Sequence, residues 1–219
     1  MNELIFLLSL SIVSCAALGA LKLGKEALVA LICLQWVLTN LFVTKQILLF
    51  GYNVTTSDAL AVGATLSLNL VQEYFGKELA KKAIFIGFCS TIFYTLLSWL
   101  QLLYCPSPAD TAHIHFCALL DPMPRLVIAS LVTYLIVQFF DYRLYGFLKK
   151  NHPSSFILRN YISVGVTQLL DTVLFSFLGL YGIITPLLPM MLMSYGIKIA
   201  VTALAVPFIS LSRYIKINS

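Results

Sequence analysis

Seven runs of roughly twenty apolar residues divide this chain, and that is the length an α-helix needs to cross the hydrocarbon core of a bilayer. They are Leu4–Leu21, Ala27–Phe50, Thr56–Tyr74, Ala83–Tyr104, Arg125–Tyr145, Tyr161–Tyr181 and Leu188–Leu211. The strands of a membrane β-barrel alternate over about ten residues, whereas these runs are about twice as long and continuous. Composition closes the soluble alternative. Only 11% of residues are charged, against about 25% in soluble domains, and 60% are hydrophobic. Too few polar groups exist to cover a core, and the mean hydropathy of +0.93 excludes disorder. The net charge of +5 comes from fourteen Lys and Arg that stand singly or in pairs, so no nucleic-acid face is built. The expected fold class is all-α: a polytopic membrane helical bundle with seven transmembrane helices. It forms one transmembrane domain over residues 1–219, with an extra N-terminal helix over 1–22 and a core over 27–213. No Lys or Arg precedes the first run, which exceeds the 7–15 residues of a typical signal-peptide core, so it is expected to be a retained helix.

Loop charge tests the count. Lys22 and Lys25 lie between runs one and two, Lys77, Lys81 and Lys82 between three and four, and Lys149, Lys150 and Arg159 between five and six. Arg213 and Lys216 follow run seven. The intervening loops, 51–55, 105–124 and 182–187, hold no Lys or Arg. Positive loops stay cytoplasmic, so the alternation predicts an outside N-terminus, seven spans and a cytoplasmic C-terminus. The outward 105–124 loop is long enough for a short lid. Pro186 and Pro189 flank the start of the seventh run, and Pro207 is expected to kink its far end.

The informative residues are polar ones at membrane depth, where a charge at a helix centre costs about 2.5–3.5 kcal/mol on insertion scales. Asp171 stands at the middle of run six, with Gln168 one turn earlier on the same face. Lys198 is central in run seven, with Tyr195 three residues before it. Asn40 is mid-span in run two, followed by Thr44 and Lys45. Asn69, Gln72 and Glu73 form a polar patch in run three, the weakest run, which Asp58 and Ser67 also interrupt. These groups belong to four helices and suggest a hydrophilic cavity for a solute. Plainer readings stand beside this one: an Asp171–Lys198 structural ion pair, Lys45 snorkelling to the interface, an interfacial Glu73, Asp141 and Arg143 as boundary residues near the inner surface, Arg125 as a headgroup anchor, and Asn40 and Asn69 as interhelical glue. Gln138 and Asp141 in run five echo Gln168 and Asp171 in run six, either as a short repeat or as coincidence in a Leu- and Phe-rich chain.

Motifs of enzymes are missing. The sequence holds no HExxH, GxSxG or Gly-rich phosphate loop, and its three histidines fall in loops. No enzyme activity and no cofactor are expected. Cys105 and Cys117 share a loop with His113 and His115, but their spacing fits no standard zinc pattern. A disulfide or free thiols are both open, and no metal is assigned.

Several stretches together carry a resemblance: Thr39-Asn40 with Lys45 and Phe50-Gly51; Glu73-Tyr74-Phe75-Gly76-Lys77-Glu78-Leu79-Ala80-Lys81-Lys82-Ala83; Pro124-Arg125 with Ala129-Ser130; Tyr134, Gln138 and Asp141; Leu158-Arg159-Asn160 with Ser163; Gln168-Leu169-Leu170-Asp171-Thr172; and Tyr195 with Lys198. In order and spacing the chain resembles the queuosine precursor transporter family, also called the vitamin-uptake-transporter family. It departs from the family in having Asn69 where an Asp is usual, and Phe75 between Tyr74 and Gly76. The resemblance implies a multi-pass protein of a bacterial cytoplasmic (inner) membrane that imports 7-deazaguanine bases for tRNA queuosine salvage: queuine or its precursors preQ0 and preQ1. It also implies a six-helix core similar to the substrate-binding subunits of energy-coupling-factor vitamin transporters. The alternative function is such a binding subunit, served by a separate ATP-driven partner. The partners expected are a 7-deazapurine base and the lipid bilayer, with no nucleic acid. A homo-oligomer and a coupling ATPase are both left open. The candidate substrate-binding residues are Asn40, Lys45, Asn69, Gln72, Glu73, Arg125, Gln138, Gln168, Asp171, Tyr195 and Lys198.

Overall fold

The computed structural model describes residues 1–43, 45–120, 124–182 and 187–215. Among them it holds eight α-helices and one two-stranded sheet: α1 (Asn2–Leu23), α2 (Lys25–Phe42), β1 (Gln46–Leu49), β2 (Tyr52–Thr55), α3 (Asp58–Tyr74), α4 (Lys77–Leu103), α5 (His113–Leu120), α6 (Pro124–Asn151), α7 (Phe156–Phe175) and α8 (Leu187–Ser210). The fold is an all-α bundle of a polytopic membrane protein. By length and composition five segments suffice to cross a membrane: α1, α2, α4, α7 with its C-terminal extension, and α8 with its own. Bulky apolar side chains such as Leu8, Phe93, Leu97, Phe147 and Leu192 project outward from these helices and α6, as lipid contact requires.

The third run forms the axis of the bundle. From Ala61 through Gln72 every residue of α3 is buried, and α1, α2, α4, α6, α7 and α8 all pack on it. Its small residues permit this close approach. A Cβ on Gly63 would collide with the Val13 side chain of α1. An axial helix enclosed by others has no lipid-facing side to keep apolar, which is why this run was the weakest in hydropathy. Gly24 (φ 116°) and Gly76 (φ 90°) turn the chain between α1 and α2 and between α3 and α4, in left-handed conformations that favour glycine.

The sequence reading is corrected at residues 43–55. Hydropathy alone predicts a helix through run two to Phe50. Helix α2 instead ends at Phe42, and Gln46–Leu49 pairs antiparallel with Tyr52–Thr55. Phe50 (φ 52°) and Gly51 (φ 83°) make the two-residue turn, whose positive φ angles match the strand twist of a tight hairpin. A short apolar stretch such as Ile47-Leu48-Leu49-Phe50 does not by itself distinguish helix from strand. The start of α1 braces the hairpin: the Asn2 amide donates to Leu48 O at 3.0 Å, and Phe50 N donates to Glu3 Oε1 at 3.4 Å.

Two helix ends depart from α geometry. Helix α7 continues as a π-helical turn, Ser176–Leu180. Pro207 lies in the last stretch of α8, where it cannot bond the carbonyl four residues back. That carbonyl, Ala203 O, accepts the Tyr161 hydroxyl at 3.1 Å, and a 3₁₀ turn over Leu211–Tyr214 follows. Thr44 and Pro186 lie outside the described residues.

Candidate functional site

A cavity of about 650 Å³ opens at the hairpin end of the bundle, within the roughly 300–1,000 Å³ usual for small-molecule sites. Helices α2, α3, α4, α6, α7 and α8 supply its walls, and Leu119 and Leu120 of α5 and Gln46 of β1 lie at its rim. Aromatic rings and hydroxyl side chains share the lining, the rings being Trp36, Tyr94, Trp99, Tyr134 and Phe175. Trp36 meets Tyr134 edge-on at a centroid distance of 4.6 Å, and Phe88 stacks behind Tyr134. The Tyr134 hydroxyl donates to Ile84 O at 2.8 Å, which fixes the ring. The π turn begins where Phe175 and Ser176 face the cavity, and such turns often mark functional sites.

Three charged side chains line this space: Asp58, Asp171 and Lys198. Lys198 Nζ contacts Asp171 Oδ2 at 2.5 Å. Asp58, in the first turn of α3, is 5% exposed and interacts electrostatically with the same ammonium. Beside it the Thr55 and Ser57 hydroxyls share a hydrogen bond of 2.9 Å. Among the described residues the lining thus carries two carboxylates and one ammonium, a formal charge of −1. On the opposite wall the Asn40 amide donates to Trp36 O at 2.9 Å, and its oxygen accepts Ser130 Oγ at 2.9 Å.

Of the eleven residues singled out from sequence, Asn40, Asp171 and Lys198 line the cavity. Four others lie deeper, in a buried polar seam between α3, α6 and α7. Asn69 donates to Asn160 Oδ1 at 3.1 Å, Gln72 to Tyr142 O at 3.2 Å and Gln168 to Thr65 Oγ1 at 3.3 Å, while Gln138 Nε2 has no protein partner. Gln168 and Asp171 therefore do not present one edge together. Although one turn apart, Gln168 turns to α3 and Asp171 to α8. Tyr195 donates to Gly165 O of α7 at 3.3 Å and is not among the cavity-lining residues. Lys45 is exposed at the base of the hairpin, where its backbone bonds Phe42 and Thr56. It left the site because the helix ends three residues before it. Arg125 is in the first turn of α6, and its side chain lies outside the described part of the molecule.

Glu73 anchors a separate ionic cluster at the far end of the bundle. Its Oε1 pairs with buried Arg159 at 2.8 Å, and its Oε2 with Lys149 at 3.3 Å. Tyr145 donates to Oε2 at 3.1 Å. Arg159 also donates to His152 O and Pro153 O, and Tyr74 is hydrogen-bonded to Ser212 at 3.0 Å. This clasp ties α3, α6, α7 and the end of α8 together and closes the bundle opposite the cavity.

Sequence reasoning missed Asp58, treated only as an interruption of run three. Its signal was an Asp with no basic residue near it in sequence. It also missed the aromatic walls, because rings in apolar runs read as core. The five cysteines are free thiols, so Cys105 and Cys117 are not bridged. No group of three metal-ligating side chains occurs among the described residues.

The family model described as "putative vitamin uptake transporter" matches residues 60–212, which is well over half of the chain. The chain belongs to this family. Among curated proteins, the "probable queuosine precursor transporter" of Bacillus subtilis (strain 168) is 29% identical over 190 residues, covering 84% of this chain and 82% of that protein. No solved structure matches. The family match spans α3 to the 3₁₀ turn after α8, so it takes in Asp171 and Lys198. Trp36, Asn40 and Asp58 fall before it. The cavity of this vitamin uptake transporter is therefore built partly within and partly outside the matched segment.

Proposed function

We propose that this transporter imports a 7-deazaguanine precursor of queuosine and binds it in the aromatic cavity at Asp171 and Lys198. The observation that carries the reading is the juxtaposed carboxylate and ammonium inside an aromatic cavity of membrane-spanning helices, in a chain similar to a protein named as a queuosine precursor transporter. A guanine-like edge offers two adjacent donors, N1–H and an exocyclic amine, and one acceptor, O6. The Asp171 carboxylate accepts the donors and Lys198 donates to O6. Flat heteroaromatic rings pack well on Trp and Tyr faces. The formal charge of −1 favours precursors with a protonated side-chain amine, for which Asp58 is the available carboxylate. Helices α3 and α6 cross the membrane with the other five, α3 shielded from lipid by its neighbours. The hairpin end faces outward and the Glu73 clasp faces the cytoplasm, following the loop charges, so the arrangement is outward-open in a bacterial cytoplasmic membrane. The chain is not an enzyme in this reading.

The test is uptake in a queuosine-deficient host that carries this chain and no coupling ATPase. Each base is supplied separately, and tRNA queuosine is the readout. Restoration with an amine-bearing precursor is expected. No restoration with any base, in cells where the chain is present in the membrane, rejects the reading.

A further inference from the structure

Below the cavity, three polar stripes face one another. Helix α6 presents Tyr134, Gln138, Asp141 and Tyr145, at the i, i+4, i+7, i+11 spacing of one helix face. Every one of them is buried. The stripe begins at a ring lining the cavity and ends at the hydroxyl bonded to Glu73. Helix α7 answers with Asn160, Ser163 and Thr167, and α3 with Thr65, Asn69 and Gln72, all buried. In most proteins such groups are satisfied in pairs. Here Asn69 Oδ1, Gln72 Oε1, Gln138 Nε2, Asp141 Oδ2 and Gln168 Oε1 are buried with no hydrogen-bond partner among the described residues. The cluster lies between the cavity and the Glu73 clasp.

Asp141 is its only carboxyl group. It is 0% exposed. Ser163 donates to its Oδ1 at 2.6 Å, and Oδ2 has no partner. The charged groups on the helices around it are committed elsewhere. Glu73 of α3 is held by Arg159 of α7 and Lys149 of α6, and Asp171 of α7 by Lys198 of α8. Asp58 lines the cavity. Lys77 of α4 lies over Gly146, and Glu78, Lys81, Lys82 and Arg143 are exposed. A carboxyl group at this depth, with the Ser163 and Thr167 hydroxyls beside it and no cation next to it among the described residues, is tolerated as its neutral acid.

We propose that Asp141 is the proton-carrying group that couples solute import to the proton gradient. The proton enters from the cavity side, forms the O–H bond at Asp141 Oδ2, and is released at the far end when the Glu73 clasp opens. One proton crosses in each cycle, and the electrochemical gradient supplies the work. The inference rests on the import reading above.

Proteoliposomes holding the full chain, given an inside-alkaline gradient and a radiolabelled amine-bearing 7-deazaguanine, test it. Wild type should concentrate the base, and a protonophore should abolish this. Asp141→Asn should keep base-for-base exchange at equal concentrations while its accumulation ratio falls to about one, as expected when a gradient no longer biases the cycle. Accumulation by Asp141→Asn, or accumulation driven by a sodium gradient alone, overturns the proposal. Lack of exchange by wild type would reject the import reading instead, so the proton is also read without substrate. Infrared difference spectra across a pH jump should show a protonated-carboxyl band that Asp141→Asn removes and Asp171→Asn keeps. Absence of that band, or its survival in Asp141→Asn, sinks the proposal. If Asp141→Asn does not fold, Ser163→Ala retains the carboxyl and should hold the band to higher pH, because the donor favouring the ionised form is gone. An unchanged titration overturns it.

Discussion

On the proposed reading, Asp171 carries a structural and a functional demand on one side chain. Its Oδ2 neutralises Lys198, while its position in the cavity wall offers the carboxylate to a ligand. Asp171→Asn replaces two acceptor oxygens by one acceptor and a donor that faces the donors of the base. A buried mismatch of this kind costs about 1–3 kcal/mol, roughly ten- to hundredfold in affinity. If the pair serves packing alone, Asp171→Asn with Lys198→Met restores both thermal stability and transport. On the substrate reading the double variant folds but transports poorly, and uptake with a melting curve on both variants separates the two. Asp58→Asn removes the extra negative charge. Affinity for amine-bearing precursors should drop at least tenfold, the loss of one charge-assisted hydrogen bond of about 1.5–3 kcal/mol, while an uncharged side-chain analogue binds as before. Equal losses for both ligands would take Asp58 out of amine recognition. Lys45→Ala should transport normally, since Lys45 is exposed on the hairpin. Impaired uptake at normal expression would return it to the translocation route.

Among the elements, α3 and the α4–α6 contact set the shape of the cavity. Gly87 of α4 faces the Tyr134 hydroxyl, and a Cβ there would stand 2.5 Å from it. Tyr134 cannot swing away cheaply, because its hydroxyl is bonded to Ile84 O and its ring lies between Trp36 and Phe88. Gly87→Ala should therefore destabilise by about 1–3 kcal/mol, as overpacking does, and should weaken base binding because Tyr134 is a cavity wall. A variant with an unchanged melting temperature and unchanged affinity would show that α4 and α6 part without cost. The boundaries of these elements were legible only where hydropathy changes. The start of α4 at Lys77 and the end of α1 at Leu23 are marked by lysines and a glycine. The end of α2 at Phe42 is not, because the apolar stretch runs on through the first strand.

For the whole molecule, the alternation of positive loops predicts a cytoplasmic C-terminus and an outside N-terminus. Single cysteines at Asn2 and Ser219, in a background free of the five native ones, test this with a membrane-impermeant thiol reagent on intact cells. Labelling at position 2 and protection at 219 are expected. Labelling at 219 from outside would reverse the direction assigned to the cavity. The two ends of the bundle differ in the manner such a direction needs. The hairpin end holds a lined space, and the opposite end holds a clasp of Glu73, Arg159, Lys149 and Tyr145.

The sequence alone determined the solvent, the class and the family resemblance. Transfer of a segment into hydrocarbon depends on the sum of its own side chains, and loop charge is likewise local, so both are readable along one dimension. The pairing of Asp171 with Lys198 was open from sequence as one alternative, since each was a lone charge at depth. Tertiary structure decided which polar residues share a space. Asn69 and Asn160 are 91 positions apart and bonded, whereas Gln168 and Asp171 are neighbours that face different helices. Which way an interior polar side chain turns depends on the helix that packs against it. Asp58 joined the cavity, and Glu73 left it for the clasp, because of contacts made by α8 in the first case and by α6 and α7 in the second.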